Sequence, residues 1–146
     1  MDSNSINIFR QNLLRIIKPV PNSIFGACDS QGVKLLTRLR LGLSHLREHK
    51  FRHGFNDTID PFCPCTMEIE SVSHFYLRCH QFDIQRLSLM NELFIINPNI
   101  LQYDENSLTK LLLYGDNLFS YEMNSKIINA SINYIKESKR FDDQLF

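Results

Sequence analysis

The sequence predicts an all-α fold, a small helical domain of about five to six helices with one inserted turn-helix element. Apolar residues recur at helical spacing in several separate segments, and no segment sustains the alternation expected of a β-strand. Three of the four cysteines and one histidine also fall within residues 63–79. At 146 residues, the chain has the size of a single domain, 1–146.

Charge and the position of the Cys/His motif divide this domain into three parts: a basic helical leader at 1–56, a Cys/His element at 57–80 and C-terminal helices at 81–146. The net charge of zero hides an asymmetry, because residues 1–56 hold nine Lys/Arg against three acids. Residues 57–125 hold three Lys/Arg against ten acids. A nucleic-acid surface would therefore be confined to the N-terminal part.

The leader predicts two helices. Residues 3–18 place Phe9 and Leu13 on one apolar face, and prolines follow at positions 19 and 21. Residues 30–53 form the longest helical pattern, with five leucines on its apolar face. Gly42 lies inside this pattern, where it costs about 1 kcal/mol relative to alanine and marks a kink or close packing.

Three further helices are predicted after the Cys/His element. The first spans about 81–94 and ends before Asn97-Pro98-Asn99. A short helix follows, capped by Ser107 and closed by Gly115 in a left-handed conformation. The last helix runs from about 120 to 138 and carries an apolar stripe.

The inserted element has the spacing C-x-C-x8-H-x4-C, formed by Cys63, Cys65, His74 and Cys79. Thiolates and one imidazole are ligands that suit tetrahedral zinc. Pro64 restricts the backbone between the first two thiols. Four protein ligands would close the coordination sphere and leave no position for a reactive water. The spacing therefore predicts one structural zinc ion.

Other interpretations of these residues remain open at this stage. The cysteines could be small buried apolar residues with an ordinary histidine between them, or two of them could form a disulfide. His80, next to Cys79, is a substitute ligand. Cys28 lies far from the cluster in sequence, and we interpret it as a lone thiol.

The helix predicted at 30–53 is rich in cations, with Glu48 as its only acid. Cations at this density suit phosphate contacts, although a solvated helix face explains most such runs. The candidate nucleic-acid-binding residues are Lys34, Arg38, Arg40, Arg47, Lys50 and Arg52.

The same helix contains His45-Leu46-Arg47-Glu48-His49, which matches the H-x-x-E-H pattern of one class of zinc peptidases. That chemistry requires a third ligand and a substrate cleft in a larger domain. Exposed histidines on a basic helix are the favoured interpretation, and we predict no catalytic residues.

Several stretches of this chain resemble the C-terminal region of non-LTR (LINE-like) retrotransposon polyproteins. The first is Leu35-Leu36-Thr37-Arg38-Leu39-Arg40-Leu41-Gly42 with Ser44-His45-Leu46-Arg47-Glu48-His49-Lys50-Phe51. The second carries Cys63, Cys65, His74 and Cys79 and is similar to that family's zinc-knuckle-like segment. Two short ones, Leu112-Leu113-Tyr114-Gly115 and Ser138-Lys139-Arg140-Phe141, are similar to that family's terminal helices. The resemblance spans about residues 6–142, and many relatives have a glycine where this chain has Thr66.

The resemblance implies a non-catalytic accessory region that lies downstream of a reverse transcriptase and assists it on RNA or DNA. It implies zinc ligands at Cys63, Cys65, His74 and Cys79. The expected partners are RNA or single-stranded DNA and a reverse transcriptase domain. The alternative is a protein-interaction module that docks on a polymerase or a host partner through its acidic middle and apolar helix stripes.

The remaining expectations concern location and substrate. No signal peptide is recognisable, and no apolar run approaches the roughly 20 residues that a membrane span requires. We expect an intracellular protein, in the nucleus or the cytoplasm, that is not secreted. We expect neither a membrane partner nor a small-molecule substrate.

Overall fold

A computed structural model describes residues 29–144, in which the regular structure is helical apart from one isolated antiparallel bridge between Phe62 and Ile69. This confirms the predicted all-α class. The helix predicted at 3–18 and the thiol of Cys28 lie outside the described residues. The α-helices are α1 (Ser30–Leu41), α2 (Arg47–Arg52), α3 (Asp83–Ile96), α4 (Glu105–Tyr114) and α5 (Tyr121–Ser138).

Gly42 ends α1, so the single helix predicted at 30–53 is in fact two. Gly42 has φ +71°, and its N–H donates to the carbonyl of Leu39 at 3.4 Å. The N–H of Leu43 donates to the carbonyl of Arg38 at 2.9 Å, which completes a Schellman motif. The apolar periodicity continued through this position, but glycine adopts the left-handed conformation at little cost and allowed the chain to turn.

Three C-terminal helices form in the predicted segments, and the main differences lie at the two ends of α4. Helix α4 begins earlier than predicted, because the side chain of Asp104, rather than that of Ser107, accepts the capping hydrogen bond at 2.7 Å. Gly115 follows α4 with the positive φ expected there, +75°, but its ψ of −166° lies outside the left-handed helical region. Ser120 caps α5 by accepting from the N–H of Met123 at 3.1 Å.

Helix α5 forms the centre of the core, and α1, α3 and α4 pack against it. Ile127, Ile128 and Ile132 of this helix are completely buried. Gly32 of α1 lies so close to α5 that a Cβ atom there would meet Ile132 Cγ2 at 2.4 Å. The approach of α1 to α5 therefore requires glycine at position 32.

An aromatic cluster joins the Cys/His element to this core. Phe75 and Tyr76 follow His74 in sequence, are fully buried, and pack against Tyr134 of α5 with ring centroids 5.1 and 5.5 Å away. The hydroxyl of Tyr76 also lies 2.7 Å from Ser131 Oγ. The element is consequently held in the domain core. No helix within residues 29–144 has the length and apolar character needed to cross a bilayer.

Candidate metal centre

A short hairpin presents the first two predicted ligands. The N–H of Cys63 donates to the carbonyl of Glu68 at 2.9 Å, and the N–H of Glu70 donates to the carbonyl of Pro61 at the same distance. The turn is closed by a 2.8 Å bond from the N–H of Thr66 to the carbonyl of Cys63. This turn brings Cys63 and Cys65 to one side of the hairpin.

A π-helix at His74–Arg78 presents the other two ligands. On a regular α-helix, two residues five positions apart point about 140° away from each other. Here the N–H of Cys79 donates to the carbonyl of His74 at 2.8 Å, an i to i+5 bond that widens the turn. The wider turn brings His74 and Cys79 to the same side, which the expected ordinary helix would not do.

The four predicted ligands meet at one point. Cys63 Sγ lies 3.7 Å from Cys79 Sγ, Cys65 Sγ lies 3.4 Å from His74 Nε2, and all four ligand atoms are within 4.8 Å of one another. The sulfurs of Cys63 and Cys79 are much too far apart for a disulfide, whose S–S length is about 2.05 Å. The free thiols of Cys63 and Cys79 are buried.

These separations fit the edges of a tetrahedron around zinc. Sulfurs about 2.3 Å from an ion at the tetrahedral angle lie about 3.8 Å apart, and a nitrogen–sulfur edge is slightly shorter. The measured distances of 3.7 and 3.4 Å agree with both edges. Three thiols and one imidazole form a complete ligand set for zinc, and a fully occupied sphere favours a structural role.

Glu68 orients the histidine ligand. His74 Nδ1 lies 2.7 Å from Glu68 Oε1, and because a carboxylate can only accept, Nδ1 carries the proton. Nε2 is then the unprotonated atom that faces the thiols. Hydrogen bonds from Arg78 and from His74 hold the pKa of the Glu68 carboxyl below its usual value. A carboxylate behind a ligating histidine is a common feature of zinc sites.

A second carboxylate joins the hairpin to the start of α2 and to the segment that follows α5. Glu70 is 1% exposed and accepts from Arg140 at 2.6 and 2.9 Å. It also accepts from the N–H of Arg47 at 2.8 Å, where α2 begins. Its other oxygen lies 3.9 Å from Cys63 Sγ. The metal cluster is therefore coupled through one buried side chain to α2 and to the segment after α5.

Burial disfavours the thiolate forms of Cys63 and Cys79 when no cation is bound. It raises the pKa of the Cys63 thiol and that of the Cys79 thiol. A bound divalent cation would offset this penalty, since zinc ligands bind as thiolates and release their protons on binding. The cluster therefore combines suitable geometry with a chemical requirement for positive charge.

Other predicted metal ligands lie elsewhere. Within residues 29–144, the four-residue cluster is the one group of three or more Cys, His, Asp or Glu ligands that converges, and it excludes the exposed His80. The H-x-x-E-H residues diverge: His45 Nδ1 lies 2.9 Å from Asp143 Oδ2, and His49 Nδ1 lies 2.6 Å from Ser44 Oγ. Among residues 29–144 these side chains do not converge as a ligand group, and His49, expected to be exposed, is in fact 5% exposed because its ring packs against the loop that follows Gly42.

The candidate phosphate-binding residues have different environments. Lys34 is exposed, and Arg38 donates to the carbonyl of Gln144 at 2.7 Å. Arg40 is 5% exposed, lies over the ring of Tyr114 and donates to the carbonyl of Leu113. Its burial removes it from any phosphate surface, and burial also lowers its pKa to about 10. The helical pattern placed Arg40 outside the apolar face, whereas packing of α4 covers it.

The remaining three basic residues lie on α2, and each is paired with an acid. Arg47 NH2 lies 3.3 Å from Asp60 Oδ1, and Lys50 Nζ lies 2.7 Å from Asp57 Oδ2. Arg52 bonds to Glu48 one helical turn away at 2.9 Å. Most of the predicted positive surface is therefore neutralised within the domain.

Comparisons of the chain with protein-family models, with curated proteins and with solved structures gave no match.

Proposed function

We propose that this chain is a non-catalytic accessory domain, stabilised by one structural zinc ion, that binds RNA or single-stranded DNA. We further propose that it derives from the C-terminal region of a non-LTR retrotransposon polyprotein and acts beside a reverse transcriptase. The observation that carries the proposal is the convergence of Cys63, Cys65, His74 and Cys79 within 4.8 Å, next to the basic helix α2. A zinc site with four protein ligands favours a structural role over a catalytic one.

Zinc binding would position α2. The N–H of Glu48 donates to the carbonyl of Glu70 at 3.3 Å, and the N–H of Arg47 donates to its carboxylate. Because Glu70 belongs to the hairpin that carries Cys63, loss of the metal would release the start of α2. The basic side chains that follow would then lose their fixed spacing.

The ion pairs on α2 are weak enough for phosphate to replace them. The side chain of Asp57 is 66% exposed, and that of Asp60 is 44% exposed. The cations are more covered, with Arg47 25% and Lys50 16% exposed, while Arg52 is 60% exposed. Because one partner of each pair is open to solvent, such pairs contribute about 0–1 kcal/mol each. Phosphates can therefore compete for Arg47, Lys50 and Arg52, which would give sequence-independent and salt-sensitive affinity.

The hairpin adds an aromatic surface beside these cations. Phe62 is 53% exposed and lines an open cleft of about 520 Å³ together with Arg47, Pro64 and Thr66. Stacking of an unpaired base on an aromatic ring contributes about 1–3 kcal/mol and tolerates any sequence. A ring next to a guanidinium favours single-stranded over double-stranded nucleic acid.

The test is fluorescence anisotropy with labelled single-stranded RNA and DNA across a series of salt concentrations. With three phosphate contacts, log K should fall against log salt with a slope of about −2. Replacing Lys50 and Arg52 by Gln removes two of these contacts and should reduce the magnitude of the slope by about 1.4. Matched changes at Lys126 and Lys136, which are ion-paired cations of α5, should leave it unaltered. Absent or salt-independent binding would contradict the proposal.

The second candidate is a protein-interaction module that docks on a polymerase or host partner. The pairing of Arg47, Lys50 and Arg52 with acids of the same domain favours this candidate, because it leaves little free positive charge on α2. Charge reversal at Lys50 and Arg52 separates the two functions. A docking module would keep its protein partner, whereas a nucleic-acid-binding domain would lose its ligand.

A further inference from the structure

Helix α3 has an apolar stripe on its exposed side. Ile84 is 82% exposed, Leu87 is 65% exposed, and Phe94 and Ile95 are 54% and 82% exposed. The opposite side of the same helix is buried against α5 through residues such as Leu89 and Leu93. The exposed stripe is therefore additional to the face that forms the core.

The stripe has the spacing of a coiled-coil seam. Ile84, Leu87, Asn91 and Phe94 are separated by three, four and three residues, as positions a, d, a and d of two heptads. Ile at a and Leu at d favour two-stranded pairing, and a single Asn at a is a known determinant of register and of the two-stranded state. Asn91 is itself exposed.

Charge around the stripe also permits self-pairing. In this register the flanking positions are Asp83 and Met90 on one side and Ser88 and Ile95 on the other. Of these four residues one is charged, and Asp83 is paired with Arg86 at 2.8 Å. Two copies of the helix can approach each other without opposing like charges, and Met90 can contact Ile95 of a second copy.

We propose that α3 is a homodimer interface, in which two copies of this chain pair in parallel along the seam formed by Ile84, Leu87, Asn91 and Phe94. The orientation follows from Asn91. In a parallel pair each Asn91 faces its counterpart and can share a hydrogen bond, whereas an antiparallel pair places it against an apolar side chain with its amide unsatisfied.

The size of the seam predicts a modest affinity. Covering these side chains and their flanks on two copies would bury roughly 1,000 Å² or slightly more, near the lower limit for a specific interface. The dimer should therefore form in the micromolar range of concentration. This inference does not depend on nucleic-acid binding, since α3 and the hairpin present different residues.

Sedimentation equilibrium of the zinc-loaded full chain, from about 1 to about 200 μM, tests the interface. The wild-type chain should shift from monomer to dimer across this range. Leu87→Glu should weaken the dimer at least tenfold, while Leu118→Glu, at a position 90% exposed and outside the seam, should not. A monomeric wild-type chain at the highest concentration, or equal effects of both variants, would overturn the interface.

A pair of charge variants tests the orientation. Asn91→Asp and Asn91→Lys should each be monomeric alone, because like charges would face each other at one level of the parallel seam. Their equimolar mixture should recover the dimer, since the two side chains then have opposite charge. A mixture that stays monomeric, or dimers of each variant alone, would contradict parallel pairing at Asn91. Unchanged zinc content and helical circular dichroism confirm that each variant is folded.

Discussion

The guanidinium of Arg140 donates two hydrogen bonds, 2.6 and 2.9 Å long, to the carboxylate of Glu70, which lies 70 residues earlier in the sequence. Glu70 is 1% exposed and lies on the hairpin that carries Cys63, whereas Arg140 follows α5. The guanidinium also donates to the carbonyl of His45 at 2.9 Å. This pair connects the metal cluster to the end of α5 and to the residues that precede α2.

Removal of one partner of this pair should destabilise the domain strongly. Arg140→Met leaves the Glu70 carboxylate buried without its cation, a change that typically costs about 3–5 kcal/mol. Arg52→Met is the matched control, because its side chain is 60% exposed and its pair with Glu48 should contribute less than about 1 kcal/mol. Urea unfolding measures both. Equal effects of the two changes would show that the buried pair has no special role.

The carboxylate behind the histidine ligand should tune metal affinity. Glu68→Ala removes the acceptor that holds His74 in its ligating tautomer, 2.7 Å from Nδ1. Loss of such a partner typically lowers metal affinity about 10–100-fold. Competition with a chromophoric chelator measures the change, and Glu122→Ala, at a side chain 81% exposed on α5, is the control. Unaltered affinity in Glu68→Ala would place Glu68 outside the metal site.

Thr66 should be a site of backbone strain. It has φ +63° at the turn after Cys65, a conformation that costs non-glycine residues about 1–2 kcal/mol. Thr66→Gly should therefore stabilise the zinc-loaded domain by about 0.5–1 kcal/mol, after the greater flexibility of glycine in the unfolded chain is allowed for. Thr66→Ala keeps the strain and should give no gain. Thermal unfolding of both variants with zinc bound decides whether the turn is strained.

His49 should make the domain sensitive to acid. Burial, with help from the charges of Arg52 and His53, lowers its pKa to about 4 from the ordinary 6.5. Between pH 6.5 and about pH 4, His49 is therefore protonated in the unfolded chain but neutral in the folded chain. The free energy of unfolding should consequently fall as the pH drops through this range. Between pH 7 and pH 5 the loss should be about 2 kcal/mol.

The acid sensitivity of His49 is separable from that of the zinc ligands. His49→Gln should be less stable than the wild type at pH 7, because it loses the 2.6 Å contact with Ser44. Since it has nothing to protonate there, the gap should shrink by about 2 kcal/mol at pH 5. Urea unfolding at both pH values measures the gap. A gap that stays constant would contradict the burial of a neutral imidazole.

Base stacking on the hairpin should depend on the ring of Phe62. Phe62→Ala and Phe62→Leu should both weaken binding of single-stranded RNA by about 1–3 kcal/mol, and Phe62→Trp should retain it. Leu keeps apolar volume but lacks a π face, so it separates stacking from simple burial. Anisotropy titrations at one salt concentration measure the effect. Full affinity in the Leu variant would exclude stacking.

Much of the architecture could be predicted because it depends on local patterns. The apolar periodicity located α3, α4 and α5, and α5 begins and ends within one residue of the predicted range of 120–138. The ligand spacing selected all four members of the metal cluster, because ligand chemistry restricts which residues can converge.

The rest depends on contacts between distant segments, which no local pattern encodes. The break at Gly42 required knowledge that the chain turns back toward the hairpin, and the burial of Arg40 depends on α4, more than sixty residues away. Glu68 and Glu70 were missed as supporting residues, although two acids between apolar positions of a cysteine hairpin were a signal. The H-x4-C spacing predicts a π-helical turn only if His74 and Cys79 are known to bind the same ion, because an ordinary helical turn would point them apart.

The central claim is that one zinc ion holds Cys63, Cys65, His74 and Cys79 together. Elemental analysis of the purified full chain tests it most directly, combined with Cys65→Ser and with Cys28→Ser as the matched cysteine control. We predict one zinc per chain in the wild type and in Cys28→Ser, and a strong loss of zinc with a lower melting temperature in Cys65→Ser. A folded wild-type chain that contains no zinc, with a melting temperature that chelators leave unaltered, would contradict the claim.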